Sequence, residues 1–146
     1  RTHDEYVNVT QPLSMCAFTD LQDPRITLGL PYILLRADAD RKDPQKFGLR
    51  NKQNWCAHLT GDALFVKRFT HDENSNYPDY GANNEVYVAG SYMEVELLGP
   101  HSVVPTGDSL TLKEEWHLFQ KVGVDAKEQD PKRIQAAIEP TIKSLF

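Results

Sequence analysis

Cysteine is scarce in this sequence: Cys16 and Cys56 are the only two in 146 residues. Two thiols cannot build the disulfide framework of a small secreted domain. They read as free, partly buried thiols, with a single Cys16–Cys56 bridge as the alternative for an exported chain. No apolar run approaches the roughly 18 residues that a membrane-crossing helix needs, so no membrane partner is expected. No basic-then-apolar secretory signal opens the chain, which favours a cytoplasmic protein. The chain opens on Arg1 rather than Met, as a processed, tagged or truncated N-terminus would. Asn8-Val9-Thr10 matches a glycosylation acceptor but carries no weight without export. Basic residues are also short, 16 against 21 acidic, for a net charge of −5 with no basic stripe. That excludes the electrostatic footprint of a nucleic-acid binder. There is no glycine-rich phosphate loop, no zinc spacing and no nucleophile elbow. His3, His58, His71, His101 and His117 show no tight pairing, so neither a metal nor a cofactor is expected.

What is present is an ordinary globular composition, 40% hydrophobic and 25% charged, at a length that fits a single domain, residues 1–146. Tyr6, Val7 and Val9 suit a short edge strand, and Leu13 to Phe18 a second strand. Thr19 to Arg25 reads as a turn capped by Asp20 and Asp23. Ile26 to Leu30 is short and apolar, and Tyr32 to Arg36 is a strand. The charged block Ala37 to Gln45 reads as a solvated loop, and Lys46 to Leu49 as a lead-in to the turn Arg50 to Asn54. Trp55 to Leu59 and Leu64 to Phe69 form a hairpin through Thr60-Gly61-Asp62. A long polar loop, Thr70 to Asn83, then leads to Glu85–Val88 and Tyr92–Leu98. In the latter, Met93, Val95 and Leu97 alternate with Tyr92, Glu94 and Glu96. Ser109 to Phe119 reads as the longest strand, with Leu110, Leu112, Trp116 and Leu118 on its core face and Ser109, Thr111, Lys113, Glu115 and His117 facing solvent. The period then changes. Asp130-Pro131 caps a helix over 130–145 whose stripe is Ile134, Ala137, Ile138, Ile142 and Leu145, with Pro140 dividing it. The expected fold is mostly β: an antiparallel β-sandwich over 13–124 with a C-terminal α-helix.

The stretch Gly61 to Pro100 concentrates charge inside strands. Glu94 and Glu96 share one face, and a hairpin centred near Ala89-Gly90 sets Glu85 opposite Glu94. Three carboxylates in one patch repel unless cations intervene, and Lys67 and Arg68 are the expected suppliers. His71 and Tyr77 sit in the long loop, whose length favours function. The bland reading is a salt-bridged sheet face. The functional reading is a polar groove in which carboxylates accept hydroxyl hydrogen bonds and Trp55, Tyr77, Tyr87 or Tyr92 stacks on a sugar ring.

The ordered motifs LFVKRF, the loop with YPD and a glycine, NEVY, MEVELLGP and EEWHLF, with FTDLQDPRITLG and KFGLRNKQNWCAHL upstream, span roughly residues 16–119. They resemble a family of uncharacterised bacterial proteins allied to the galactose mutarotase-like β-supersandwich proteins. The resemblance implies a large antiparallel sandwich of which this chain is the C-terminal half. In sugar epimerases of that fold a glutamate is the base on the anomeric hydroxyl and a histidine the acid on the ring oxygen. Glu85 is the counterpart of the base by position in a late strand, with Lys67, Arg68, His71, Tyr77, Glu94 and Glu96 binding the substrate. No histidine here matches the acid; His71 or His58 would be an improvised substitute. A half-sandwich would leave apolar sheet exposed, favouring a homodimer or other self-association. Three readings follow: a non-catalytic carbohydrate-binding module, a truncated interaction protein that self-associates through its sheet, and an anomeric epimerase using Glu85.

Overall fold

The structure, a computed structural model, describes residues 13–30 and 32–146. The edge strand expected at Tyr6 to Val9, like the Asn8-Val9-Thr10 triplet, lies outside these residues. The described chain is mostly β, with three antiparallel sheets and one C-terminal helix. A four-stranded sheet has the order β1 (Leu13–Met15), β4 (Gln45–Leu49), β7 (Asn84–Ala89), β8 (Tyr92–Leu97). A two-stranded sheet pairs β2 (Ile26–Leu28) with β3 (Ile33–Leu35). A three-stranded sheet has the order β5 (Trp55–Thr60), β6 (Ala63–Arg68), β9 (Glu115–Phe119).

Both tight hairpins are dictated locally. Thr60 pairs with Ala63 around Gly61-Asp62, and Ala89 with Tyr92 around Gly90-Ser91. The first turn residue in each is a glycine with positive φ, +55° and +60°. That is the conformation a two-residue hairpin needs to match strand twist.

The apolar core lies where the helix α1 (Pro131–Lys143) covers one face of the three-stranded sheet. Asp130 caps α1 by accepting from the Lys132 N–H, and Pro131 occupies the first turn. Ile134, Ile138 and Ile142 repeat every four residues and are buried against Leu64 and Val66. Pro140 does not divide the helix as expected; α1 runs through it. Its missing N–H removes the one ladder bond that would run back to the Ala136 carbonyl, and the helix continues on either side.

Two strands differ from the sequence reading. β4, expected only as the approach to a turn, is an interior strand of the four-stranded sheet. Its inner-facing Gln45 is buried because its Oε1 accepts from the Asp20 N–H at 2.8 Å. The expected long strand over Ser109–Phe119 is reduced to β9. Its faces are also reversed: Trp116 and Leu118 are 67% and 69% exposed, and Leu110 and Leu112 are exposed too. The register decides this. His117 lies opposite Val66 and Phe119 opposite Leu64, and residues directly opposite share a face. The buried Val66 and Leu64 therefore carry His117 and Phe119 to the helix side.

The charged loop Ala37 to Gln45 is more than a solvated connection. Buried Arg25 donates to the carbonyls of Arg41 and Asp43 at 3.1 and 2.7 Å. Asp38 N–H donates to Gly90 O, and Gly90 N–H to Arg41 O. The loop thus clamps the β7–β8 turn. Cys16 and Cys56 are free thiols, and burial pushes Cys56 up to about 12.

Candidate functional site

Along β4, β7 and β8 the side chains of Lys46, Gly48, Glu85, Tyr87, Glu94 and Glu96 share the face turned away from Phe47, Val86 and Val95. Glu85 stands directly opposite Glu96, and Tyr87 opposite Glu94. The expected Glu85–Glu94 pairing is two residues out, because the turn is centred on Gly90-Ser91. Two like charges facing each other across a ladder repel. Lys46 resolves this from the neighbouring strand: its Nζ lies 2.8 Å from Glu85 Oε2 and 3.1 Å from Glu96 Oε1. Burial depresses the Lys46 ammonium, but hydrogen bonds and charge from Glu85 and Glu96 outweigh it, and its pKa is raised. The cluster holds one positive and two negative charges, with Glu85 only 5% exposed.

Gly48 makes room for this carboxylate. A Cβ there would fall 2.6 Å from Ser14 Oγ, 2.8 Å from Ala82 Cβ and 3.0 Å from Glu85 Oε1. Beside it lies a hollow of about 150 Å³ between Ser14, Lys46, Glu85 and the turn that carries Asp79 and Tyr80. That turn, within Pro78–Gly81, is left-handed: Asp79, Tyr80 and Gly81 have φ of 48°, 61° and 98°. Non-glycine residues in this region cost roughly 1–2 kcal/mol each. Tyr80 is almost wholly exposed at its tip. On the far side of the cluster, Tyr92 Oη donates to Glu94 Oε1 at 2.6 Å, and the Tyr87 and Tyr92 rings meet edge-on at 6.3 Å. The Glu94 bond raises the Tyr92 phenol pKa.

Glu85, Glu94 and Glu96 are thus brought to one face, and the four other expected residues are not with them. Lys67 and Arg68, expected to supply the cations, belong to the three-stranded sheet. Lys67 Nζ pairs with Glu114 at 3.0 Å and donates to the Val95 carbonyl at 3.1 Å. Arg68 pairs with Glu115 at 2.9 Å and lies over the Phe146 ring. Their side chains are committed by the strand pairing of β6 with β9, which adjacency in sequence could not reveal. Trp55 is also elsewhere, edge-on to Tyr32 at 5.6 Å in the core region.

His71 and Tyr77 form a separate cluster. Their rings pack at 5.2 Å, and buried Tyr77 accepts the Asp72 N–H through its hydroxyl at 2.9 Å. Asn83 accepts the Asn51 N–H at 2.7 Å and donates to the Asn51 carbonyl, so its amide is oriented. Its remaining N–H then points at His71 Nδ1, 3.0 Å away. On the other side of the ring Arg50 Nε donates to Nε2 at 3.4 Å, so both ring nitrogens face N–H donors. Burial and then the Arg50 charge lower the His71 pKa. Asn84 extends the mesh by donating to the Glu96 carbonyl at 2.9 Å. The cluster is a clasp between the loops and β8, and it leaves His71 neither mobile nor inclined to carry a proton.

Lys46, Gly48, Asn51 and Asn83 were missed in the sequence. A signal existed for the first two: Phe47 and Leu49 alternate with Lys46 and Gly48, a strand of mixed faces concealed by its glycine. Comparison with known proteins finds no matching family model, no matching curated protein and no matching solved structure.

Proposed function

We propose that the outer face of the four-stranded sheet binds carbohydrate, and that the chain is a non-catalytic, mutarotase-like β-sandwich module. The observation that carries this reading is the joining of Glu85, Glu96 and Lys46 to Glu94, Tyr87 and Tyr92 on one face, beside a hollow. Ligand pockets run from roughly 300 Å³ upward. The hollow of about 150 Å³ therefore takes a single substituent, and a sugar ring lies over the tyrosines with hydroxyls donating to Glu94 and Glu96. The strained turn presenting Tyr80 supports the reading, because backbone strain collects at ligand clamps.

Binding fits better than epimerisation. A general base must reach the proton it removes, and Glu85 is buried and held by Lys46 at 2.8 Å. The clasped His71 offers no acid across from it. NMR titration with a panel of mono- and oligosaccharides is expected to shift Tyr87, Tyr92 and Glu94 resonances, and Glu94→Gln is expected to weaken binding about tenfold. Silence across the panel removes the proposal. Polarimetry on fresh α-glucose and α-galactose is expected to match buffer. A faster rate that Glu85→Gln abolishes would reinstate the epimerase.

A second reading, self-association, is favoured by the outward-facing Trp116 and Leu118 with Leu110 and Leu112 nearby in the chain. Exposed apolar strips of this kind mark interfaces. Light scattering is expected to report a dimer that Trp116→Glu converts to monomer; a monomer at micromolar concentration removes this reading.

A further inference from the structure

A cavity of about 680 Å³ lies on the other side of the four-stranded sheet from the Lys46–Glu96 pair. Its floor is the opposite, apolar face of the four-stranded sheet, including Phe47 and Val95. Its walls have an unusual composition. Every residue from Tyr32 to Ala37 and from Trp55 to Thr60 lines it. A strand that presented a face would contribute alternate residues only. β3 and β5 therefore present their edges.

The hydrogen-bond register states which backbone groups those edges offer. Phe69 N–H donates to Asn54 O, and Thr60 pairs with Ala63 at the turn. In an antiparallel ladder alternate residues exchange bonds with the partner, so Cys56 and His58 bond to β6 while Trp55, Ala57 and Leu59 turn outward. The Trp55 carbonyl accepts from Asn51 Nδ2 at 2.7 Å. Ala57 and Leu59 have no such partner among the described residues. On β3, the bonds Gly29 N–H to Tyr32 O and Arg36 N–H to Arg25 O fix the same alternation. Ile33 and Leu35 then turn their N–H and C=O groups away from β2, again with no partner among the described residues.

Among the described residues, two open strand edges thus border one cavity, whose lining is mostly apolar but includes Asn51, His58, Asn84 and Glu128. A hydrocarbon ligand filling it would leave these peptide groups buried without hydrogen bonds, which is costly. An extended peptide would satisfy them. One strand occupies about 4.8 Å by 10 Å in cross-section within packed sheets, so 680 Å³ corresponds to about four residues of strand. Arg36 stands on the same wall, bonded only to Thr27 Oγ1 at 3.1 Å and without a carboxylate partner among the described residues.

We propose that this cavity is a strand-acceptor site: an extended segment of another polypeptide, apolar at alternate positions and carrying one acidic residue, adds to β5 through Ala57 and Leu59, with β3 and Arg36 on its other side. Recognition of this kind takes affinity from main-chain bonds and specificity from alternate side chains.

The probe is a blocked pentapeptide of alternating valine and threonine ending in glutamate, added to the full chain. Amide hydrogen exchange read by NMR is expected to slow about tenfold at Ile33, Leu35, Ala57 and Leu59. N-methylation of the peptide at alternate residues is expected to abolish the effect. Ala57→Pro removes an outward N–H that β6 does not use, so it is expected to abolish binding while β6 amides stay protected. Where that variant unfolds, the N-methyl peptide decides alone. The proposal is overturned by equal binding of the N-methyl peptide, or by no slowing with the parent peptide. It is also overturned if those amides are already protected in the free chain, or if palmitate occupies the cavity and the peptide does not.

Discussion

The two larger sheets hold together by different means. The three-stranded sheet is backed by α1 and closes over Leu64, Val66, Ile134, Ile138 and Ile142, an apolar layer that meets the cavity at Leu64, Ile134 and Ile138. The four-stranded sheet buries Val88 and Phe47 but places Lys46, Glu85 and Glu96 on its outer face, and its inner face borders the same cavity. Burial stabilises the first sheet additively, at about 25 cal/mol per Å² of apolar area. Cohesion in the second is conditional: the two facing carboxylates are tolerable only while Lys46 lies between them. A region built conditionally is suited to contacting something polar, and a region built additively is suited to supporting it.

That contrast can be broken by substitution. Lys46→Met is expected to have the largest effect, about 3–5 kcal/mol, because it leaves Glu85 buried and facing Glu96 without a cation. Urea denaturation measures the loss, and the double variant with Glu85→Gln is expected to recover much of it. A loss under about 1 kcal/mol for the single variant would mean that solvent screens the cluster. In the other region Ile138→Ala is expected to cost about 2–4 kcal/mol. No companion change on the carboxylate face should alter that figure, and coupling between the two sites would contradict the division.

The smallest expected effect is on pH. Burial lowers the His58 pKa, and burial with Arg50 lowers that of His71. Their unfolded values lie near about 6.5. Between the folded and unfolded values the unfolded chain binds more protons. Stability is therefore fully present above about pH 6.5 and declines as pH falls through the depressed folded values. Thermal melts at neutral and mildly acidic pH should show the decline, and His71→Gln should shrink it. An unchanged slope would assign the effect to His58.

Regular alternation and capping were legible in the sequence. Met93, Val95 and Leu97 against Glu94 and Glu96 gave β8 and its faces, and Asp130-Pro131 with the isoleucine stripe gave α1. What escaped depends on partners distant in the chain. The faces of β9 follow its register against β6, and a strand with Trp116 and Leu118 on one side and His117 on the other reads the opposite way when alone. Lys46 was hidden because Gly48 interrupts β4, yet that glycine is what leaves space for Glu85. The carboxylates themselves were found from Gly90 and local alternation; their cation arrives from a strand about forty residues away, where no local rule operates.

The strand order has a consequence in time. β4 pairs with β7 although the whole β5–β6 hairpin lies between them in the chain, and β6 waits for β9 beyond a second hairpin. Each hairpin closes a short loop and can form early, whereas the β4–β7 and β6–β9 seams must close long loops before any contact repays the lost entropy. The Lys46–Glu85 pair spans the first of those seams. The carboxylate face is therefore expected to assemble late, after its two neighbouring hairpins have formed.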